Sequence, residues 1–475
     1  MAASQFLHGV EIVEIDDGPR PVRVVRSSVI GIVGTAPDAD PLAFPLDTPV
    51  LIAGSRAEAA KLSMNAIQGG KGTLPRALDQ ILDQIGAVVV VVRVAEGEND
   101  AETLANILGG VDPVTGAYKG VHALLAAKSV VGQQPRIICV PGATGERPVG
   151  VAGSGPITNS GAGGTDGIFD LAFTGGTGSG AAGTFTVADG KLTKITITAA
   201  GRYTVAPQPD FSACEGLEGA ATTLILGATA NPVVAELIGI AERLKAIIVA
   251  DGPNTNDADA IKYADDFGSR RVYLVDPGVK VARGGNVEIE PASPAVAGLI
   301  AKIDNDRGFW WSPSNNVING IVGTARPIDF TLNDANSRAN LLNEANVATI
   351  INEDGYRLWG NRTLSSDAKF AFLNIVRLHD IVGDSILSSH LWAVDRGITK
   401  TYFDDVSESV NAFLRQLKAL GAISGGNCYP DPDLNSPASI MEGKAWFNVE
   451  ISGVYPAEHV IFRMRLVGDY LEDLV

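Results

Sequence analysis

Apolar residues fall in unbroken runs through the first 280 positions and in strict alternation near both ends of the chain. SVIGIVGTA (28–36), PVLIAG (49–54), GAVVVVVRV (86–94) and PRIICVPG (135–142) are continuous apolar runs of strand length, the pattern of strands buried on both faces. Ser55 followed by Glu58 has the spacing of a capping box and predicts a helix start. Helices are predicted over 74–84 and 121–131. Farther on, a helix over 232–244, a strand in KAIIVADG (245–252), a helix near 257–267 and a strand in RRVYLVDP (270–277) continue the alternation. Strand alternating with helix predicts an α/β layer architecture.

The pattern changes twice. Between Pro141 and Asn231 the chain is rich in Gly, and GGTGSGAAGTFTVADGKLTKITITAAGRYTVAP (175–207) reads as short strands with Gly turns. TFTV and KLTKITIT flank Asp189-Gly190, a strong hairpin signal. A small all-β module over 143–231 is expected, inserted between strand 135–142 and helix 232–244; a disordered linker is the alternative. After Trp359-Gly360-Asn361-Arg362-Thr363 a long helix is predicted over 367–394 and a second over about 405–420, ending at Gly421. Two alternating strands then follow. In AWFNVEI (445–451), Phe447, Val449 and Ile451 share a face; in HVIFRMRLV (459–467), Val460, Phe462, Met464 and Leu466 do, with Arg463 and Arg465 opposite. GDYLEDLV (468–475), with Tyr470 and Leu471, is another short extended candidate. At the other end, Val10, Glu11, Ile12, Val13, Glu14 and Ile15 form a strand ended by Asp16-Asp17-Gly18-Pro19, with no partner strand at hairpin distance. A lone strand is unstable in water, so it must pair with a distant sheet or with another molecule.

Composition narrows the function. The formal charge of −17, from 37 basic and 54 acidic residues, argues against a nucleic-acid partner. The three cysteines, Cys139, Cys214 and Cys428, offer neither a disulfide framework nor zinc spacing. The first residues lack a basic region followed by an apolar core, so a secretory signal is not expected, and the longest apolar run, Val88–Val92, reads as a buried strand and not a membrane span, so membrane insertion is not expected.

Candidate chemistry is thin. GGKGT (69–73) lacks the order of a phosphate loop, and VPGATGE (140–146) is poor in Gly for a dinucleotide fingerprint. His379 and His390 are three helical turns apart, about 16 Å at 1.5 Å per residue, too far for one metal. A satisfied, partly buried His379 is expected. Asp251 and Asp276 end strands, where α/β enzymes place ligands, but Asp before Gly or Pro is ordinary turn chemistry. No catalytic, cofactor or metal site is predicted. A sizeable core with no convincing site and extended strands at both ends points to an assembly protein.

The sequence resembles the contractile tail sheath proteins of myophages and R-type pyocins. The resemblance rests on His8-Gly9-Val10-Glu11, VVRSSVIGIVGTAPDAD (24–40), FPLDTPVLI (44–52), VVVVRV (89–94), LLAAKSVVGQQPRIICVPG (124–142), AKIDNDRGFWWSPSN (301–315), LLNEANVATIINEDGYRLWGNRTLSSD (341–367) and LWAVDRGIT (391–399). It spans nearly the whole chain except 143–231. The resemblance implies a structural subunit, not an enzyme. Such subunits stack as six-fold rings around a tail tube and contract to drive the tube through the host envelope during genome delivery. The implied location is the virion tail, assembled in the host cytoplasm. Implied partners are further copies of the chain, the tail tube protein, and baseplate and tail terminator proteins; no cofactor is implied. A phage tail and a phage-tail-like bacteriocin or injection particle remain open alternatives. An α/β enzyme with a nucleotide or metal site is the competing class, which equilibrium dialysis would distinguish.

The implied organisation is multidomain, α/β with mixed α+β character. It comprises an N-terminal arm (1–22), a discontinuous α/β middle domain (23–142 and 232–358), the inserted β module (143–231), a tube-proximal C-terminal domain (359–467) and a C-terminal arm (468–475). The arms are expected to exchange strands with neighbours. Residues 10–15 would be donated to a sheet formed by 445–452 and 459–467, with a second donated strand in 468–475. Lys369 and Arg377 on the long helix are candidates for tube contact. Trp359, Gly360, Asn361 and Arg362 carry the family signature and are read as a structural junction.

Overall fold

The computed structural model describes residues 21–64 and 71–467. The predicted strand 10–15 and the segment 468–475, including Tyr470 and Leu471, lie outside the described residues. The chain divides into two compact units, one of them Arg23–Ser388; the other is described here over 389–467.

The Arg23–Ser388 unit is built on one eight-stranded sheet. Its spatial order is Tyr356–Trp359, Val347–Asn352, Val272–Val275, Ile247–Asp251, Ile137–Cys139, Ile30–Thr35, Val88–Val94, Pro49–Ala53. The six inner strands are parallel and the two outer ones antiparallel to their neighbours. Every residue of Ile30–Thr35 is buried, which explains its lack of alternation: helices cover both faces. Leu74–Gln84, Ser293–Asp306 and the start of Leu373–Ser389 pack on one face. Pro232–Leu244, Asp257–Asp265, Arg338–Glu344 and the turns Gly120–Ala126 and Ala127–Val131 pack on the other. Ser55 does cap a short helix, accepting the Glu58 N–H at 3.2 Å.

After Ile137–Cys139 the chain leaves the sheet and returns through Pro232–Leu244 into Ile247–Asp251, the parallel neighbour of the strand it left. The intervening residues form a four-stranded antiparallel sheet, in the order Lys191–Val205, Thr177–Ala188, Gly167–Thr174, Gln208–Asp210. A two-stranded ribbon, Val149–Ser154 with Leu224–Ala228, accompanies it. Asp189 and Gly190 turn the long hairpin with φ of +52° and +70°, the left-handed pair that a two-residue turn matched to strand twist requires. The module has its own core, in which the Phe185 ring stands 5.1 Å from Phe211 and 5.5 Å from Phe169.

In the unit described over 389–467, helix Lys400–Ala419 packs on an antiparallel pair, Ile423–Pro430 with Phe447–Gly453. Val406, Val410, Phe413, Leu414 and Leu417 form its buried stripe. The structure corrects the expected acceptor sheet here. Residues 459–467 form no strand; the partner of Phe447–Gly453 is Ile423–Pro430, which Gly425-Gly426 and Pro430 disguise as loop. The long helix expected over 367–394 is Leu373–Ser389, flanked by the short turns Ala368–Phe370 and Leu391–Ala393.

Candidate assembly surfaces

Helix Leu373–Ser389 is fastened by charge. Arg377, Asp380 and Asp384 follow at i, i+3 and i+7, so they share a face. Arg377 forks onto Asp304 of helix Ser293–Asp306 with two 2.5 Å bonds, and both side chains are buried. Asp380 pairs with Arg271, which is fully buried and also reaches Glu242 at 2.9 Å. Asp384 pairs with Arg136, just before strand Ile137–Cys139. Two of these pairs are forked, and forked Arg–carboxylate pairs are directional, so together with the single Arg136 contact they fix the rotation of the helix as well as its position. The charged face is therefore interior, and Arg377 is corrected as a tube-contact candidate, since its guanidinium is spent inside the unit. Lys369 is exposed, but on the turn before the helix and not on the helix itself.

The same helix holds the segment that leads into the central sheet. The Val25 N–H donates to Ser385 Oγ at 3.1 Å, Arg377 donates to the Ser27 carbonyl at 3.2 Å, and Ser28 Oγ donates to Asn305 at 3.3 Å. The Val29 carbonyl then accepts from Arg136 and Ile137 as the chain enters the sheet.

The Trp359–Arg362 signature is a packed junction. Trp359 stands edge-on to Phe330 at 4.8 Å, and the Arg362 guanidinium lies 4.9 Å over Phe372. Gly360 has φ +131°, and a Cβ there would come within 2.8 Å of the Ala348 backbone, so only glycine fits. Its N–H donates to Ser314 Oγ and its carbonyl accepts from Tyr273. Asn361 is buried, and its carbonyl accepts from the Leu373 N–H at 2.9 Å, tying the junction to the long helix.

The residues weighed for chemistry hold the fold together. The Thr73 and Thr35 hydroxyls accept each other's backbone N–H at 3.2 and 3.3 Å, so Lys71-Gly72-Thr73 closes a loop onto the central strand; Gly69 and Gly70 lie outside the described residues. Asp251 is buried and accepts from the Ser293 N–H at 2.8 Å, from Ser293 Oγ at 2.6 Å and from Thr144 at 3.3 Å. Burial pushes its carboxyl up to about 6 against the pull of these donors. Asp276 is buried, pairs with Arg326 and accepts the Asn254 N–H at 2.7 Å. His379 is exposed, not partly buried as expected; its ring stands 5.4 Å from Phe370, and desolvation lowers its pKa. Burial pushes the Cys139 thiol up, the opposite of activation. Among the described residues, no group of three His, Cys, Asp or Glu is placed to hold a metal.

What the described residues leave unfinished lies in the other unit. Residues 459–467 have no ladder partner among the described residues. Val460, Ile461, Phe462, Met464 and Leu466 are all exposed, Phe462 by 85% and Met464 by 94%. A stretch this apolar is covered by something in a protein's working state.

A chain with a core fastened by buried ion pairs and an uncovered apolar segment fits the class of polymer subunits, and the comparisons agree. Residues 27–94 match the N-terminal region of domain III of the tail sheath protein Gp18, 210–364 the phage tail sheath protein central domain, and 365–467 the phage tail sheath C-terminal domain. A prophage major tail sheath protein of Pseudomonas aeruginosa is 36% identical over 473 residues, covering 99% of each chain. The tail sheath protein of Escherichia phage P2 is 31% identical over 481 residues, covering 99% of this chain and 98% of its own. The helical sheath of the anti-feeding prophage in the contracted state has the same fold, with a TM-score of 0.56 at 16% identity over 97% of this chain and 99% of that one. The chain belongs to the contractile phage tail sheath family. It is a structural component of a virion tail, not an enzyme.

Proposed function

We propose that subunits of this sheath are linked by exchanged strands, with the C-terminal segment 459–467 donated to a neighbour's Phe447–Gly453/Ile423–Pro430 sheet. The exposed, unladdered segment 459–467 carries the reading. Its apolar face matches the acceptor strand, where Phe447, Val449 and Ile451 share a face that meets Phe403 at 5.5 Å. This moves the C-terminal donated strand, expected in 468–475, upstream. The N-terminal strand 10–15 is the second donated element of the same reading. A six-residue strand adds about three to six ladder bonds at ~0.5–1.5 kcal/mol each. Burial of an apolar side chain adds ~1.5–3 kcal/mol. Links of that size, repeated around every ring, hold while the Arg23–Ser388 unit turns as a rigid body.

The links join copies into six-fold rings stacked around a tail tube, with baseplate and terminator proteins at the ends. Contraction drives the tube through the host envelope and is powered by new contacts between subunits. Lys369 is retained as a tube-contact candidate because it is exposed. The test is a chain truncated after Gly453. It is expected to stay folded and monomeric while the full chain forms hollow striated cylinders by negative-stain microscopy. Cylinders from the truncated chain would overturn the reading.

A further inference from the structure

We infer that the acceptor sheet is one-sided: a neighbour's strand adds to the outer edge of Phe447–Gly453 and is refused by the outer edge of Ile423–Pro430. The inference rests on the strand-exchange reading above and names the edge it uses. In an antiparallel pair, opposed residues alternate between exchanging backbone hydrogen bonds and pointing those groups outward. Asn411 of helix Lys400–Ala419 identifies the outward set. Its side chain accepts the Cys428 N–H at 2.7 Å and donates to the Cys428 carbonyl at 2.8 Å, so Cys428 points away from its partner strand. By the same alternation Gly426 and Pro430 also point outward on that strand, and their opposites Ile451, Val449 and Phe447 point outward on the other.

The two edges differ sharply. On the Ile423–Pro430 edge, Cys428 is occupied by Asn411 and Pro430 has no N–H, so of three outward positions only Gly426 offers both groups. A side chain mimicking a strand partner and a proline are standard ways of closing a sheet edge. On the other edge, Phe447, Val449 and Ile451 present three N–H and three carbonyl groups, with no partner among the described residues. The occupant is residues 459–467 of a second copy. With Phe462 and Met464 set on the face of Val449 and Ile451, Arg463 and Arg465 fall on the face of Glu450, an exposed carboxylate. Unlike charges on neighbouring strands favour that pairing.

The experiment compares variants of the full-length chain. Val449→Pro removes an outward N–H that the subunit does not use, so the monomer is expected to melt as wild type while cylinder formation is lost. Asn411→Ala unblocks the opposite edge and is expected to leave cylinders intact. Glu450→Arg is expected to suppress assembly at low salt, and Arg463→Glu with Arg465→Glu in the same chain to restore it. Cylinders from a Val449→Pro chain that melts normally would overturn the inference. If truncation after Gly453 also leaves cylinders, the strand-exchange reading fails; if truncation abolishes them while Val449→Pro does not, only the choice of edge fails. A melting point lowered by Val449→Pro would show that its N–H is used within the subunit, which also overturns the inference.

Discussion

Replacing Asp304 by alanine should damage this protein more than almost any other single change in the Arg23–Ser388 unit. The carboxylate is 1% exposed and receives both arms of Arg377, itself 4% exposed. Removing it leaves a guanidinium away from water with, among the described residues, only the Ser27 carbonyl, at 3.2 Å, as a remaining acceptor. Breaking a buried pair from one side costs ~3–5 kcal/mol, because a charge is left without compensation. Replacing both partners by apolar residues of similar volume is often near neutral. Asp304→Ala and Arg377→Met should therefore each lose ~3–5 kcal/mol, while Asp304→Leu with Arg377→Met should lose only ~1–2 kcal/mol. Urea unfolding followed by tryptophan fluorescence measures this. Trp310, Trp311 and Trp359 lie in this unit, so Trp392 and Trp446 are first replaced by phenylalanine. Additive losses in the double variant, or a single loss below about 1 kcal/mol, would refute the account of the pair.

Asp251→Asn tests a buried acid. The folded chain holds the Asp251 proton to about pH 6, well above the ordinary carboxyl value of 3.8, so protonation favours the fold. The stabilisation is complete below about pH 3.8 and lost as pH rises through about 6; a shift of this size is worth ~3 kcal/mol. The stability of wild type relative to Asp251→Asn should fall by about that much between pH 4 and 7 in urea titrations, and a flat difference would rule it out. Ser385→Ala removes the acceptor for the Val25 N–H, and hydrogen exchange at Val25 should speed up by about tenfold, the equivalent of ~1.4 kcal/mol. Deleting residues 1–15 should leave a folded monomer that forms no cylinders by negative-stain microscopy; normal polymerisation would exclude donation from that end. Excising 145–230 with a short linker should preserve both fold and assembly, since the module has its own core; an unfolded product by circular dichroism would contradict that.

Five of the six parallel strands were legible because they are buried on both faces and read as unbroken apolar runs, as at Val88–Val94; Val347–Asn352 was not read as a strand. The Asp189-Gly190 hairpin was legible because two left-handed residues in a row have few sequence solutions. Helix Ser293–Asp306 was missed for the reason the strands were found. It is buried nearly all round, so SPAVAGLIAKIDND has no polar face to give it a helical period. Ile423–Pro430 was missed because its Gly pair and Pro weaken strand propensity, the same features that blunt its edge. The charge clamp on helix Leu373–Ser389 could not be read at all. Arg377 and Asp380 look like surface residues in sequence, and their partners lie 73 and 109 positions away.

That blind spot has a physical origin. A buried ion pair is specified by two distant residues and carries no local signal, whereas, on the reading proposed here, a strand awaiting a partner from outside keeps its full alternation. HVIFRMRLV alternates as a strand does and has no ladder partner among the described residues, which the proposed reading explains by a missing neighbour and not by weak propensity. A sheath must change its packing without its subunits unfolding or parting. On the reading proposed here, the requirement is met by giving the two tasks to different interactions. Directional buried ion pairs and a fully covered parallel sheet make the Arg23–Ser388 unit stiff, so load moves it as one body. Backbone ladders at an open sheet edge carry the links, and they tolerate rotation about the joining segments because their strength lies in bonds that do not depend on how the larger unit is turned. If the stiff unit deformed instead, the Arg377–Asp304 and Arg271–Asp380 pairs would be the first to part, and leaving either half buried alone costs more than a single exchanged strand residue returns.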